Sequence, residues 1–399
     1  MDFSLSPDQE KLRNEFRSFF KKEMENAPQG WHGGNVEEPY LNDENWDFHV
    51  RMARKLAQNG WLMLTLPEKY GGLNASPVVQ MIFNETAGYY RAPGVDVFGV
   101  KMIGPVIHAM GNEEQKESHL MPIVRGEVFW CQGWSEPDAG SDLAALSTTG
   151  VREDDHYIVQ GQKIWTTGAH RADWIFLLVR TDPEAQRSRG LTFLLADMKT
   201  PGISVEPIPM MDGHHSFNQI FLDDVRIPVQ NRIGEENHGW KVAKAISNYE
   251  RTGVLPVGYI ERELEELIKY CKETKYLGNR LINDSSVRDR LADLAVEIEA
   301  AKALYYRIAC LHKTGEFMES MALSSAAKVF TAELNQRLIY TGGDILGLFS
   351  QVKHGSKWAP LKGAFERLYQ QCLGENIAAG TSEIQRNVIA WTALGLPRP

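Results

Sequence analysis

The chain has 399 residues, with 43 Lys and Arg against 52 Asp and Glu, for a formal charge of −9. At roughly 100 to 200 residues per domain this length implies two or three domains, and 43% hydrophobic with 24% charged residues describes a globular chain with a sizeable core. The acidic balance offers no basic stripe for phosphates, so nucleic acid is not the expected partner and small molecules are.

Met1–Phe16 carries neither the basic start nor the apolar run of a signal peptide, which predicts a cytoplasmic chain. The longest apolar stretch, Val95–Met110, is broken by Asp96, Lys101, Pro105 and His108. It falls short of the ~20 residues of a membrane helix, and no membrane association is expected. Cys131, Cys271, Cys310 and Cys372 are scattered without a C-x-x-C pair, as free thiols would be.

Ser6-Pro7-Asp8-Gln9 is a capping box with proline at the first helical position, and Leu12, Phe16, Phe19 and Phe20 follow at helical spacing. Helical periods return at Trp46–Gln58, Val78–Gly88 and Glu113–Val124. Near Glu127 the texture changes. Tyr157–Val159, Trp174–Val179, Thr192–Leu195, Gly202–Pro209 and Phe217–Pro228 read as strands separated by Gly, Pro and Asp clusters. From Trp240 the helical period resumes through Leu264–Tyr270, Val287–His312, Met321–Tyr340 and Ala364–Cys372. The expected fold is α+β and multidomain: an N-terminal helical domain over 1–126, a middle β-barrel or sandwich over 127–236, and a C-terminal helical bundle over 237–399.

The sequence has no G-x-x-x-x-G-K-[ST] loop, G-x-G-x-x-G after a strand, H-E-x-x-H helix or G-x-S-x-G elbow. His214-His215 reads as a solvated turn, and no convergent ligand spacing supports a metal. Trp130–Asp142 places glycines and hydroxyls between aromatics, a pattern suited to a flat, polar-edged ligand, although composition alone equally describes a decorated turn.

Three segments decide between these readings: Ser135-Glu136-Pro137-Asp138-Ala139-Gly140-Ser141-Asp142, Lys163-Ile164-Trp165-Thr166-Thr167-Gly168-Ala169, and Gly380-Thr381-Ser382-Glu383-Ile384-Gln385-Arg386. Together and in this order they resemble the acyl-CoA dehydrogenase family, over essentially the whole chain. The resemblance implies FAD between the barrel and the last bundle. It also implies an acyl-CoA substrate and an electron-transfer flavoprotein as acceptor. Gln132, Trp134, Ser135 and Gly140 match the segment lining the flavin, Ser141 a residue near pantetheine and flavin, and Trp165 and Thr167 the pair at the ring's edge. Thr381 and Glu383 match further FAD contacts, with Glu383 standing where many relatives have glutamine.

Dehydrogenation across Cα and Cβ of a thioester needs a base for a weakly acidic proton. Many relatives place a glutamate immediately before Gly-Thr-Ser, but here Ala379 stands there. A second family solution puts the base in the bundle's first helix before an arginine, and Glu250-Arg251 matches it. On a helical wheel Glu250 shares a face with Ala243, Ile246, Ser247, Gly253 and Val254, a small and apolar surround. A solvated helix ion pair is the competing reading of Glu250 and Arg251. The backbone N–H of Ala379 would polarise the thioester carbonyl.

Two departures concern oligomers. Thr274 and Ile339 stand where tetrameric relatives carry an arginine and a glutamine that reach a neighbour's FAD. A hetero-oligomer with a related subunit is therefore expected, with a homo-oligomer as the alternative, and the mixed type resembles bacterial dehydrogenases of bulky steroid side-chain CoA esters. A flavin-dependent oxidase or monooxygenase, or a non-catalytic subunit, are the competing functions. The small residues Gly253 and Gly258 suggest room for a bulky acyl chain.

Overall fold

The computed structural model describes residues 4–33, 36–251, 257–314 and 317–398; the side chains of 247–251, 313, 314, 317 and 318 lie outside the described set. Its helices and strands follow in chain order. Three helices come first, α1 (Pro7–Glu23), α2 (Asp43–Gln58) and α3 (Pro77–Tyr89). A π-helical turn, Val97–Ile103, leads into α4 (Gly104–Met110), and α5 (Glu113–Gln115) joins α6 (Met121–Val124) through a second π turn. The strands of the large sheet are β1 (Trp130–Gly133), β2 (Thr149–Glu153), β3 (His156–Lys163), β4 (Trp174–Arg180), β5 (Leu191–Asp197), β6 (Ile203–Pro209) and β7 (His215–Pro228), and Lys275–Tyr276 pairs with Asn279–Arg280 in a short separate hairpin. Six helices close the chain: α7 (Gly239–Arg251), α8 (Val257–Glu273), α9 (Ser285–Thr314), α10 (Phe317–Leu346), α11 (Ala364–Glu375) and α12 (Ser382–Thr392).

The contacts divide the chain into two units. One unit, Met1–Gly34, Ser76–Ala92 and Arg251–Pro399, is helical. Its start is set by the capping box, in which Ser6 Oγ accepts from Gln9 N at 3.3 Å and Gln9 Oε1 accepts from Ser6 N at 2.9 Å. Phe16 and Phe20 of α1 meet Phe83 of α3 with ring centroids 5.2 and 5.5 Å apart. A larger core runs through α8 to α11 by way of Leu267, Ile298, Ala301, Leu334, Leu338 and Phe365. Gly258 lets α8 approach α3 closely: a Cβ there would lie 2.1 Å from the Glu85 carbonyl oxygen. The room that Gly258 suggested for an acyl chain is filled by this helix crossing.

The other unit, Asn35–Ala75 and Pro93–Glu250, centres on one curled seven-stranded sheet of order β1-β4-β2-β3-β7-β6, with β5 paired to β4. β1 runs parallel to β4 and β5 antiparallel to it. β4 and β5 are buried along nearly their whole length, so they read as unbroken apolar runs with no alternation. Asp96 ties the helical part of this unit to the sheet. Its carboxylate accepts from Phe98 N at 3.1 Å, Gly99 N at 3.0 Å and Trp130 N at 2.9 Å, capping the π turn while fixing the first residue of β1.

Candidate active site

The first cluster lies where β1 leaves the sheet. Gly133 packs closely there: a Cβ would come within 2.5 Å of the Leu177 and 2.8 Å of the Ile175 side chain on β4, whose methyl ends would have to shift. The following residues are then fastened from both sides. Glu136 and Ala139 exchange backbone hydrogen bonds of 3.0 and 3.1 Å, closing a tight turn over Pro137-Asp138. The Glu136 carboxylate accepts from Lys163 Nζ at 2.8 Å, Thr148 N at 2.9 Å, and Ser147 N and Oγ at 2.6 and 2.7 Å. Lys163, fully buried on β3, also donates to the carbonyls of Trp134 at 3.2 Å and Leu178 at 2.8 Å.

Burial opposes both charges of this pair. The Lys163 ammonium and the surrounding donors outweigh it for Glu136, whose carboxyl is held down at about 2. Burial pulls Lys163 down to about 8, against the attraction of Glu136. Both groups remain ionised at neutral pH. Their effect is to lock Trp134 and Ser135 between β1 and β3, with Ile164 N bonded to Ser135 O at 2.9 Å.

Within this frame Gln132 and Ser135 are half-buried, Trp134 is buried, and Gly140 and Ser141 are exposed. Trp134 Nε1 is enclosed without an acceptor. An unpaired buried donor costs about 1–3 kcal/mol, so its persistence beside half-buried polar side chains fits a group that a ligand acceptor completes.

The second cluster follows β3. Trp165 has φ +61, in the left-handed region that bulky side chains avoid, and its ring is 57% exposed and edge-on to Phe217. The next residue is clamped: Thr166 and Asn218 exchange backbone bonds of 3.0 and 3.1 Å, and Asn218 Nδ2 adds a third to Thr166 O at 2.9 Å. Gly168 N donates to Ser216 O at 2.8 Å. Thr167 is thereby fixed beside the exposed indole.

His215 is not in a solvated turn. It opens β7, stacks on His170 with centroids 4.2 Å apart, and pairs through Nε2 with Asn218 Oδ1 at 2.8 Å. Burial, His215 and Arg171 push His170 down to about 4, leaving it neutral and able to accept at Nδ1 from Asn218. Among the described residues no group of three or more His, Cys, Asp or Glu side chains is placed to hold a metal.

The third cluster belongs to the helical unit. Ala379 (φ +55) and Gly380 (φ +81) are successive left-handed residues ahead of α12. Thr381 caps this helix, its Oγ1 accepting from Ile384 N at 3.2 Å, and Glu383 lies exposed in the first turn. Ile339 is buried in the bundle core, so this position presents no polar group outward.

Glu250 and Arg251 end α7, but their side chains lie outside the described residues. Of the residues placed on the same helix face, Ala243 and Ile246 are buried, and Ser247, Gly253 and Val254 also lie outside the described side chains. Three supports escaped the sequence reading: Lys163, Asn218 and Gln385. Lys163 alone left a signal, as the inward position of a strand whose other inward residues, Tyr157 and Val159, are apolar.

The acyl-CoA dehydrogenase N-terminal, middle and C-terminal domain profiles match residues 6–127, 131–225 and 237–394. The chain belongs to the acyl-CoA dehydrogenase family. It is 36% identical over 411 aligned positions to the acyl-CoA dehydrogenase FadE26 of Mycobacterium tuberculosis, covering 100% of this chain and 99% of that one. Among solved structures it resembles the ChsE4-ChsE5 complex of the same organism, with TM-score 0.88, 35% identity and full coverage of both chains. It also resembles the Tcur3481-Tcur3483 steroid ACAD, with TM-score 0.88, 29% identity and full coverage of both chains. Such homologues are oxidoreductases, and members of the family depend on FAD. No helix among the described residues is long and apolar enough to cross a membrane.

Proposed function

We propose that this acyl-CoA dehydrogenase family member binds FAD and dehydrogenates an acyl-CoA thioester between Cα and Cβ. The observation that carries the reading is the pair of fastened segments around Trp134 and Trp165, one with an enclosed unpaired N–H and the other a strained, exposed indole. Gln132, Trp134, Ser135, Gly140, Ser141, Trp165 and Thr167 would hold the cofactor, with Thr381 and Glu383 contributing from the start of α12. FAD, when bound, supplies a hydride acceptor for the β-carbon.

The chain's own residues supply the rest. Glu250 takes the α-proton, which an apolar surround assists by raising carboxylate basicity. Arg251 beside it favours the ionised form. The Ala379 N–H receives the thioester oxygen as negative charge develops on it. Support for moving the base to α7 is that the methyl of Ala379 can abstract nothing. The three profile matches support domains of 1–126, 127–236 and 237–399.

The steroid ACAD and the two-chain complex among its relatives support a bulky, steroid-like acyl group and a related partner subunit. An electron-transfer flavoprotein as acceptor and a cytoplasmic location complete the proposal. One experiment tests the core of this: the visible spectrum of the purified protein, followed by anaerobic titration with a panel of CoA thioesters. A flavin spectrum bleached by at least one thioester is expected. A colourless protein even when purified with a related subunit would sink the reading.

A further inference from the structure

The backbone N–H groups of Ala379, Gly380 and Thr381 find no acceptor among the described residues, while the carbonyls of the same three residues are all engaged. Gln385, fully buried on α12, donates through Nε2 to Ala379 O at 2.8 Å and reaches Gly380 O at 3.5 Å. Lys328, buried on α10, donates through Nζ to Gly380 O at 3.0 Å. Gln385 N closes the set on Thr381 O at 2.9 Å. Two side chains from different helices thus hold the carbonyls of a left-handed alanine and glycine, a conformation that persists for alanine only where its surroundings over-determine it. A side chain at position 380 would be strained by the left-handed backbone, φ +81, and would press on the Gln385 amide, with a Cβ 2.6 Å from its Nε2.

We propose that Gln385 and Lys328 are positioning residues for α-proton abstraction, holding the Ala379-Gly380 peptide so that the Ala379 N–H stays available to the thioester oxygen. This rests on the dehydrogenase reading. In the step concerned the Cα–H bond breaks, the proton passes to the Glu250 carboxylate, and the electron pair moves toward the thioester oxygen. A donor held in place beforehand needs no reorganisation as that charge grows. If either tie is lost, Ala379 relaxes toward right-handed backbone and its N–H turns away, weakening stabilisation of the transition state more than binding of the ground state.

The test uses the holoenzyme and any thioester that bleaches the wild type. Gln385→Glu replaces a donor by an acceptor of the same shape. Retained FAD, a near-normal thioester Kd and a bleaching rate lowered about 100-fold are expected, the scale of losing one such donor. Exchange of the substrate α-proton with solvent deuterium should slow in parallel, a readout that a purely structural role would not move. Lys328→Met should slow bleaching about tenfold and Lys328→Arg should recover most of the loss.

Unchanged bleaching in both Gln385→Glu and Lys328→Met overturns the proposal. If Gln385→Glu fails to fold, the Lys328 pair decides alone: a slow Met variant rescued by Arg supports it, and a Met variant as fast as wild type overturns it. If no thioester bleaches the wild type, the dehydrogenase reading fails separately. The tie is then read in amide exchange at Ser382 and Ile384, where faster exchange in Lys328→Met upholds the positioning and unchanged exchange refutes it.

Discussion

Lys163 is a charge placed where no water reaches it, and its three acceptors explain why it is tolerated. Removing it strands the Glu136 carboxylate among donors too few to replace an ammonium. Lys163→Met should therefore cost about 3–5 kcal/mol in urea unfolding, the usual penalty for breaking a buried pair from one side. The acid limb follows from the sign of the Glu136 shift. Its folded value near 2 lies below its ordinary value of 4.5, so its contribution is complete above about pH 4.5 and lost as pH falls toward 2. In Lys163→Met the carboxyl loses the attraction that holds it low, and the acid-unfolding midpoint should move upward. A variant with wild-type stability would show that the pair does not carry the turn. Glu250 makes the complementary kinetic prediction. Glu250→Gln keeps size and hydrogen bonding but removes the base, so flavin should stay bound while turnover drops by about three orders of magnitude or more. A near-normal rate in stopped-flow bleaching would remove Glu250 from the chemistry.

At the scale of elements, Gly258 shows how a correct observation can point to a wrong cause. A small residue on an apolar helix face admits either a substrate or another helix, and sequence alone does not separate the two. The carbonyl of Glu85 and the amide of Tyr89, 2.1 and 2.8 Å from where a Cβ would stand, decide for the helix. Gly258→Ala should therefore push α8 from α3 and destabilise by about 3 kcal/mol despite the better helix propensity of alanine. A Tm equal to or above wild type would contradict this. The elements that were legible share strong local signals. The Ser6 capping box places the start of α1, and the apolar runs of β4 and β5 announce buried strands. Two of the elements that were not legible show why. β1 has only four residues and no alternation, and it is a strand because Asp96 and β4 hold it there. α12 follows two left-handed residues, and the carbonyl of the second, Gly380, is bonded by Lys328, far away in sequence. The motif residues at the candidate site were legible as identities, whereas Asn218 and Gln385 act through a partner 52 positions distant and through a buried amide, beyond any local pattern, and the inward place of Lys163 on β3 signalled burial but not its partners.

The whole molecule raises the question of how many chains one active site needs. Segments that would serve this chain's own cofactor are built with care: Trp134 and Ser135 are pinned by a buried ion pair, and Thr166 by Asn218. The positions that in tetrameric relatives reach a neighbour's FAD are treated differently. Thr274 carries no charge, and Ile339 is committed to its own bundle core. Restoring a glutamine at 339 would bury an amide among Leu338, Leu334 and their neighbours, so the loss is not one that a single substitution reverses. An assembly of identical copies would then lack donors at each shared cofactor, whereas a related chain that keeps them could complete the site. Expressed alone, the protein should purify with well below one FAD per chain. Co-expressed with a related subunit that retains the arginine and glutamine, it should form a mixed oligomer in light scattering and bind flavin stoichiometrically. A homo-oligomer carrying one FAD per chain, with thioester bleaching as fast as the mixed assembly, would overturn the need for a partner. Thr274 and Ile339 would then mark only a different way of closing the same site.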